Sequence, residues 1–183
     1  MAKVIGIVGS PRRGGNTSAI VNQVLKGAEA SGAEIKIYYL NEFEIKGCQS
    51  CMYCRKNDSC SLKDDMQTIF EDMKSADAVI LGSPIYIHQV SGQMKIFMDR
   101  LYPFTNEKHT PRFGIKKLVM VYTQAAPFEL FFRNYIRYLR KAFAAMGLKH
   151  FADIRATKCF EPNAAKNNQR LMCKAFAMGK KII

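Results

Sequence analysis

Short apolar runs alternate with segments of helical periodicity along all 183 residues, and no repeat or linker interrupts the alternation. Residues 3–9 (Lys-Val-Ile-Gly-Ile-Val-Gly) are continuously apolar and end in glycine, the pattern of a strand buried on both faces. Asn16 or Thr17 is placed to cap a following helix in which Ile20, Val24, Leu25 and Ala28 share one face and Gly32 marks the stop. Residues 34–40 alternate as a second strand. After an irregular stretch, the spacing of Met66, Ile69, Phe70 and Met73 predicts a helix with an acidic first turn. Residues 78–81 form a third strand, and Ser91 opens a helix carrying Met94, Phe97, Met98 and Leu101. A fourth strand is expected at 117–122, a long helix at 128–146, a weaker fifth strand at 150–157 and a last helix at 162–181. Strictly alternating strands and helices predict one α/β domain over 1–183, a doubly wound parallel sheet with helices on both faces. Ligands of such sheets bind outside the carboxyl ends of the strands. Three of those ends, 9–18, 83–88 and 123–127, are the unusual sequences.

The segment Gly9-Ser-Pro-Arg-Arg-Gly-Gly-Asn-Thr-Ser18 joins the first strand to the first helix and is crowded with small residues and hydrogen-bond donors. A helix N-terminus points free N–H groups outward and favours negative charge, which suits a phosphate. Ser10, Thr17 and Ser18 add hydroxyls, Asn16 an amide, and Arg12 or Arg13 a guanidinium able to meet phosphate bidentately. There is no G-x-G-x-x-G and no Gly-Lys-[Ser/Thr] ending, so this is neither the dinucleotide nor the nucleoside-triphosphate fingerprint. A glycine-rich turn and helix start with no ligand is the plainer alternative.

Gly-Ser-Pro-Arg followed by Gly-Asn-Thr resembles the first motif of the flavodoxin-like FMN reductase superfamily, and Gly82-Ser-Pro-Ile-Tyr86 with 90–100 resembles its second. The resemblance covers essentially the whole chain. It implies a flavodoxin-like sheet of five parallel strands in the order 2-1-3-4-5, and FMN as cofactor. Carried over, Ser10, Arg12, Asn16, Thr17 and Ser18 would hold the phosphate. Pro84, Ile85 and Tyr86 would flank the ring, with Thr123 and Gln124 supplying donors from a loop that lacks the glycine often found there. His88, two residues beyond Tyr86, is expected at the ring's rim; His109 and His150 suggest nothing.

Cys48, Cys51, Cys54 and Cys60 place four of the six cysteines in the irregular loop 47–63. C-x2-C-x2-C with a further Cys is ferredoxin-like spacing, suited to a [4Fe-4S] cluster; the same four thiolates also suit a tetrahedral zinc. Cys159 and Cys173 are expected to be inert buried thiols. FMN together with the x2, x2, x5 spacing resembles the iron–sulfur flavoproteins of anaerobic archaea and bacteria. That resemblance implies electron transfer from a ferredoxin-type donor through the cluster to FMN and on to a small acceptor. Related reductases keep the Lys-Asp-Asp-Met continuation seen at 63–66 and take electrons from NAD(P)H without a cluster. A non-catalytic module with a structural zinc loop is a third reading. Following the second strand, the cysteine loop is expected on the same sheet edge as the phosphate loop.

Composition narrows the partners. No apolar run approaches the ~18 residues of a membrane span, and the start is too short in apolar residues for a secretory signal, so a cytoplasmic protein is expected. The net charge is +13, and residues 108–183 carry the excess, with 16 Lys/Arg against 3 Asp/Glu. No zinc-finger or RNP spacing accompanies the charge, which argues against nucleic acid. Along 128–146, Phe132, Ile136, Leu139 and Phe143 form a core stripe. Phe131, Tyr135 and Tyr138 form a second aromatic row, and Arg133, Arg137, Arg140 and Lys141 a basic one. The aromatic row fits either extra core or a subunit interface, the resemblance implying a homodimer or homotetramer; the basic row fits docking of an acidic redox partner.

Overall fold

A computed structural model describes residues 1–183. Its strands are β1 (Lys3–Val8), β2 (Glu34–Tyr39), β3 (Ala78–Tyr86), β4 (Gln89–Val90), β5 (Lys116–Thr123) and β6 (Leu148–Ala156). The five long strands run parallel in the order β2-β1-β3-β5-β6. With the short β4 set aside, this is the expected 2-1-3-4-5 arrangement of a flavodoxin-like sheet. The sixth strand, β4, was not expected; it folds back antiparallel on the end of β3, pairing Tyr86 with Gln89.

Successive strand residues point to opposite faces, and here both sides are apolar because both faces are covered. Ile5, Ile7, Leu81 and Met120 face one layer, where α3 (Met66–Ser75), α4 (Gly92–Asp99) and α5 (Arg133–Ala145) contribute Phe70, Phe97 and Phe143. Val4, Val8, Ile80 and Val121 face the other, where α1 (Asn16–Glu29) and α7 (Gln169–Lys181) contribute Ile20, Val24 and Ala175. Of two single turns, α2 (Tyr53–Lys56) lies in the cysteine loop, and α6 (Ala164–Asn167) buries Ala165 in the α1 layer.

Several boundaries differ from expectation: α3 begins at Met66, leaving the expected acidic first turn ahead of the helix, and β3 runs on to Tyr86. Gly15, not Asn16 or Thr17, is the N-cap of α1. α5 starts at Arg133 instead of 128, so Phe132 packs only partly while Phe128, Leu130 and Phe131 remain exposed. The last helix is split: Asn163 adopts a left-handed φ of 65°, and the Asn168 side chain caps α7 by accepting from the Leu171 N–H at 3.0 Å.

α1 and α7 meet backbone to backbone. A Cβ added at Gly27 would lie 2.1 Å from the Phe176 carbonyl oxygen, and one at Gly179 would lie 1.9 Å from that of Val24. Only hydrogen fits at either position. Gly179→Ala is therefore expected to push α7 from the sheet and lower stability by about 1–3 kcal/mol, the range of overpacked cores. A urea midpoint equal to that of the parent protein would rule out this close crossing.

Candidate functional site

A cleft of about 680 Å³ opens at the carboxyl ends of β1, β3 and β5 and is lined by residues of all three unusual loops. On the phosphate side, Gly9 N–H donates to the Gly82 carbonyl at 2.8 Å, and a Cβ on Gly9 would meet that of Met94 at 2.7 Å. Glycine thus lets the loop lie close against α4, whose N-cap Ser91 donates to the Gly9 carbonyl. The loop curls around the Arg12 backbone. Ser10 Oγ accepts from Arg12 N–H at 3.2 Å, and Ser18 Oγ donates to Arg12 O at 3.1 Å. No side chain caps the start of α1, so its first N–H groups are left for an anion.

Among the expected phosphate ligands, Ser10, Arg12, Asn16 and Thr17 line the cleft. Ser18 does not; it is buried and holds the loop's shape. Arg13 is drawn away by Glu42 at 2.9 Å and lies over the Tyr39 ring, leaving Arg12 as the guanidinium at the cleft. The Asn16 amide is committed to the C-terminal segment, donating to Glu161 O at 3.0 Å and accepting from Ala165 N–H at 2.9 Å. Thr17 and Thr123 join their loops through a buried hydroxyl pair 2.7 Å apart.

At the other end Pro84, Ile85 and Tyr86 line the cleft, with Thr123 and Gln124 beside them on the neighbouring strand end. Gln124 is buried and donates through Nε2 to Phe128 O at 2.9 Å, while its Oε1 has no partner. An orphaned buried acceptor in the cleft suits a ligand N–H such as the imide of an isoalloxazine. His88 is not in this wall. It packs edge-on to Phe132 at 5.4 Å on the outer side of the β3–β4 hairpin. Ile87 and His88 form that two-residue turn with φ of 45° and 64°, values a β-branched residue rarely adopts.

Cys159, Phe160 and Pro162 complete the cleft, and sequence reasoning had placed none of them there. The signal was available: they follow β6, whose carboxyl end faces the same side, and Glu161-Pro-Asn163 is turn chemistry. Cys159 is half-buried, and Cys173 is exposed instead of buried.

The cysteine loop forms a second cavity, of about 340 Å³, lined by Cys48, Cys51, Cys54 and Cys60 together with Tyr102 and His109. Ser50 and Met52 take positive φ of 51° and 60°, curling the backbone between the first three cysteines so that all of them reach one space. Burial pushes the Cys54 thiol up, as do neighbouring Cys60 and Cys48; the Ser61 hydroxyl, 3.2 Å away, brings the Cys51 thiol down. No three side chains stand as ligands of a single metal ion. His109, to which the sequence assigned no role, lines the cavity and meets Arg55 at 3.2 Å.

The loop is closed at its neck by one buried guanidinium. Arg100 donates to the carbonyl of Lys46, just before the loop, at 2.7 Å, and to both oxygens of Asp64, just after it, at 2.6 and 3.0 Å. Both side chains are all but inaccessible, at 0% and 3% exposure. Lys46 N–H also donates to Asp64 at 3.0 Å. Arg100 is the C-cap of α4, and Ser91 at the other end is buried against the phosphate loop, donating to the Gly9 carbonyl. The neck therefore stands roughly 13 Å of helical rise along α4 from Ser91.

The NADPH-dependent FMN reductase family model matches residues 2–154, most of the chain. The chain belongs to that family. FMN is the cofactor the family implies for the larger cleft. Over 101 residues the chain is 43% identical to an iron–sulfur flavoprotein of Methanocaldococcus jannaschii, covering 55% of this chain and 52% of the relative. A second iron–sulfur flavoprotein, from Methanosarcina thermophila, is 37% identical over 98 residues, 54% of this chain and 51% of the relative. The chain thus covers about half the length of the curated relatives it matches. An NAD(P)H:quinone oxidoreductase from Methanothermobacter marburgensis shares the fold at a TM-score of 0.78 and 17% identity, over 98% of this chain and 96% of that one.

The neck makes an acid-sensitive prediction. Burial pushes the Asp64 carboxyl up, but the Arg100 hydrogen bond and charge outweigh it and hold the carboxyl below its ordinary value. A depressed folded value contributes stability above the unfolded pKa of about 3.9 and loses it as pH falls through the folded value. Asp64→Ala is expected to cost about 3–5 kcal/mol near neutrality by stranding Arg100. Urea midpoints of the two proteins should converge below about pH 4; a gap that stays constant into acid would exclude this origin.

Proposed function

We propose that the chain is a flavin-dependent oxidoreductase that binds FMN in the larger cleft and a [4Fe-4S] cluster in the cysteine cavity. Electrons come from a ferredoxin-type donor or NAD(P)H and pass to a small acceptor. The observation that carries the reading is that all four thiols of the C-x2-C-x2-C-x5-C run line one cavity, apart from a cleft lined by the phosphate loop and the Pro84–Tyr86 wall. The two cofactors supply the one- and two-electron chemistry; the protein binds and orients them. Arg12 and the open start of α1 hold phosphate, Thr17 and Thr123 fix the spacing of the two loops, and Gln124 Oε1 accepts from the ring's N–H. Cys48, Cys51, Cys54 and Cys60 would hold the iron.

Family membership also favours a second reading, an NAD(P)H-dependent FMN or quinone reductase with the same cleft and no cluster. Iron and flavin analysis of protein prepared without oxygen separates them. One FMN with about four irons per chain is expected; FMN without iron gives the second reading, and zinc without FMN gives a structural metal loop.

We propose exposed Ile87, Phe128, Leu130 and Phe131, the last 6.0 Å from His88, as the subunit contact of a homo-oligomer. Arg133, Arg137 and Lys141 stay exposed along α5 as a docking row for an acidic donor. Arg140 leaves that row to pair with Asp153 beside Arg155. Reduction by an acidic ferredoxin should slow as salt rises from 50 to 300 mM, roughly in the manner of other steered associations; an unchanged rate would discard the docking row.

A further inference from the structure

One segment of the larger cleft belongs to neither of its two sequence motifs. Residues 158–163 follow β6, outside the stretch 2–154 that matches the family, yet Cys159, Phe160 and Pro162 line the cleft. The segment is tied down at both ends. On the β5 side, Lys158 N–H donates to the Ala126 carbonyl at 3.4 Å, and Cys159 N–H donates to that of Gln124 at 3.0 Å. On the α1 side, Asn16 commits both ends of its amide: Nδ2 donates to the Glu161 carbonyl at 3.0 Å, and Oδ1 accepts from Ala165 N–H at 2.9 Å. Lys158 and Asn163 both take a left-handed φ, of 55° and 65°. A lysine does not favour that conformation by itself, so the surrounding bonds impose it. Between the two anchors lies Phe160, 71% exposed although it lines the cleft. An aromatic ring held at the rim of a cleft on a backbone fixed at both ends suits a flat ligand that covers it.

We propose that residues 158–163 are a strap along the larger cleft, with Phe160 packing against bound FMN and Asn16 acting as the positioning residue that holds the strap in place. This rests on the reading of that cleft as the FMN site. It gives Asn16 a part other than phosphate ligand. Its acceptor and one of its donor hydrogens already serve the strap, so it acts on flavin affinity through Phe160. The phosphate is left to Arg12 and to the N–H groups at the uncapped start of α1. The same bonds connect the two ends of the cleft: Gln124 holds one end of the strap by its carbonyl and keeps a spare side-chain acceptor, and Asn16 holds the other.

The test is a double-mutant cycle of FMN affinity, read by flavin fluorescence on the full chain stripped of flavin. Phe160→Ala and Asn16→Ala should each weaken FMN about tenfold. The double variant should bind no worse than Asn16→Ala alone, because releasing the strap already takes the ring away from the flavin. If Asn16 instead serves the phosphate, the two effects are independent and multiply to about a hundredfold; that result, or a Phe160→Ala protein with the parent's affinity, overturns the proposal. Should Asn16→Ala fail to fold, hydrogen exchange of the parent protein decides. FMN is expected to slow the amides of 158–163, and exchange there that FMN leaves unchanged overturns the proposal. A parent protein that binds no FMN would instead sink the reading of the cleft itself.

Discussion

The contact between Arg100 and Asp64 determines where the chemistry of the cysteine loop can happen. Two charges removed from water need each other and further hydrogen bonds, and this pair finds them at both Asp64 oxygens and the Lys46 carbonyl, gathering both ends of the loop to one point. The arginine comes from the end of α4 and the aspartate from the approach to α3, so the pair also fixes these two helices against each other. Everything between Lys46 and Asp64 is then free to depart from regular structure. Positive φ at Ser50 and Met52 and the single turn of α2 are conformations that a longer helix or strand could not accommodate.

The flavin side depends on a different device, the stacking of three strand ends in register. Gly82 is level with Val8 and Val121, and Pro84 with Thr123, which brings the loops after β1, β3 and β5 to a common height. The Thr17–Thr123 hydroxyl pair and the Ser91–Gly9 contact then join neighbouring loops across the sheet edge. The end at the start of α1 is backbone and hydroxyl, and the end at Pro84–Tyr86 is apolar with one spare acceptor at Gln124. That division matches a ligand with a dianionic tail and a flat aromatic head.

Much of this was legible in the residues. Continuous apolar runs and their spacing revealed the parallel strands, because a strand covered on both faces has no polar side to show. The loops at 9–18 and 83–86 stood out because glycine, proline and hydroxyl residues are unusual at strand ends unless backbone must approach a ligand. What could not be read was the direction of side chains on the first turn of α1. Ser18 turns inward and Asn16 sideways, although both belong to the expected phosphate set, because one turn of helix spreads consecutive residues around its axis. The hairpin at Ile87–His88 was hidden since neither residue is one that such turns prefer. The Arg100–Asp64 contact was equally hidden: 36 residues separate the partners, and nothing local marks either charge as buried. The start of α5 was misplaced because the aromatic run at 128–132 keeps a helical rhythm without a cap.

The closed neck has one more implication. Since Lys46 and Asp64 already touch, lengthening the segment between them adds little closure entropy, about 0.6 kcal/mol for each doubling, so its length bears only weakly on the sheet's stability. The cysteine loop behaves as an insert closed at its neck, tied to the rest of the fold mainly through Arg55 and Cys60, so that its remaining residues can vary while the sheet beneath it stays as it is.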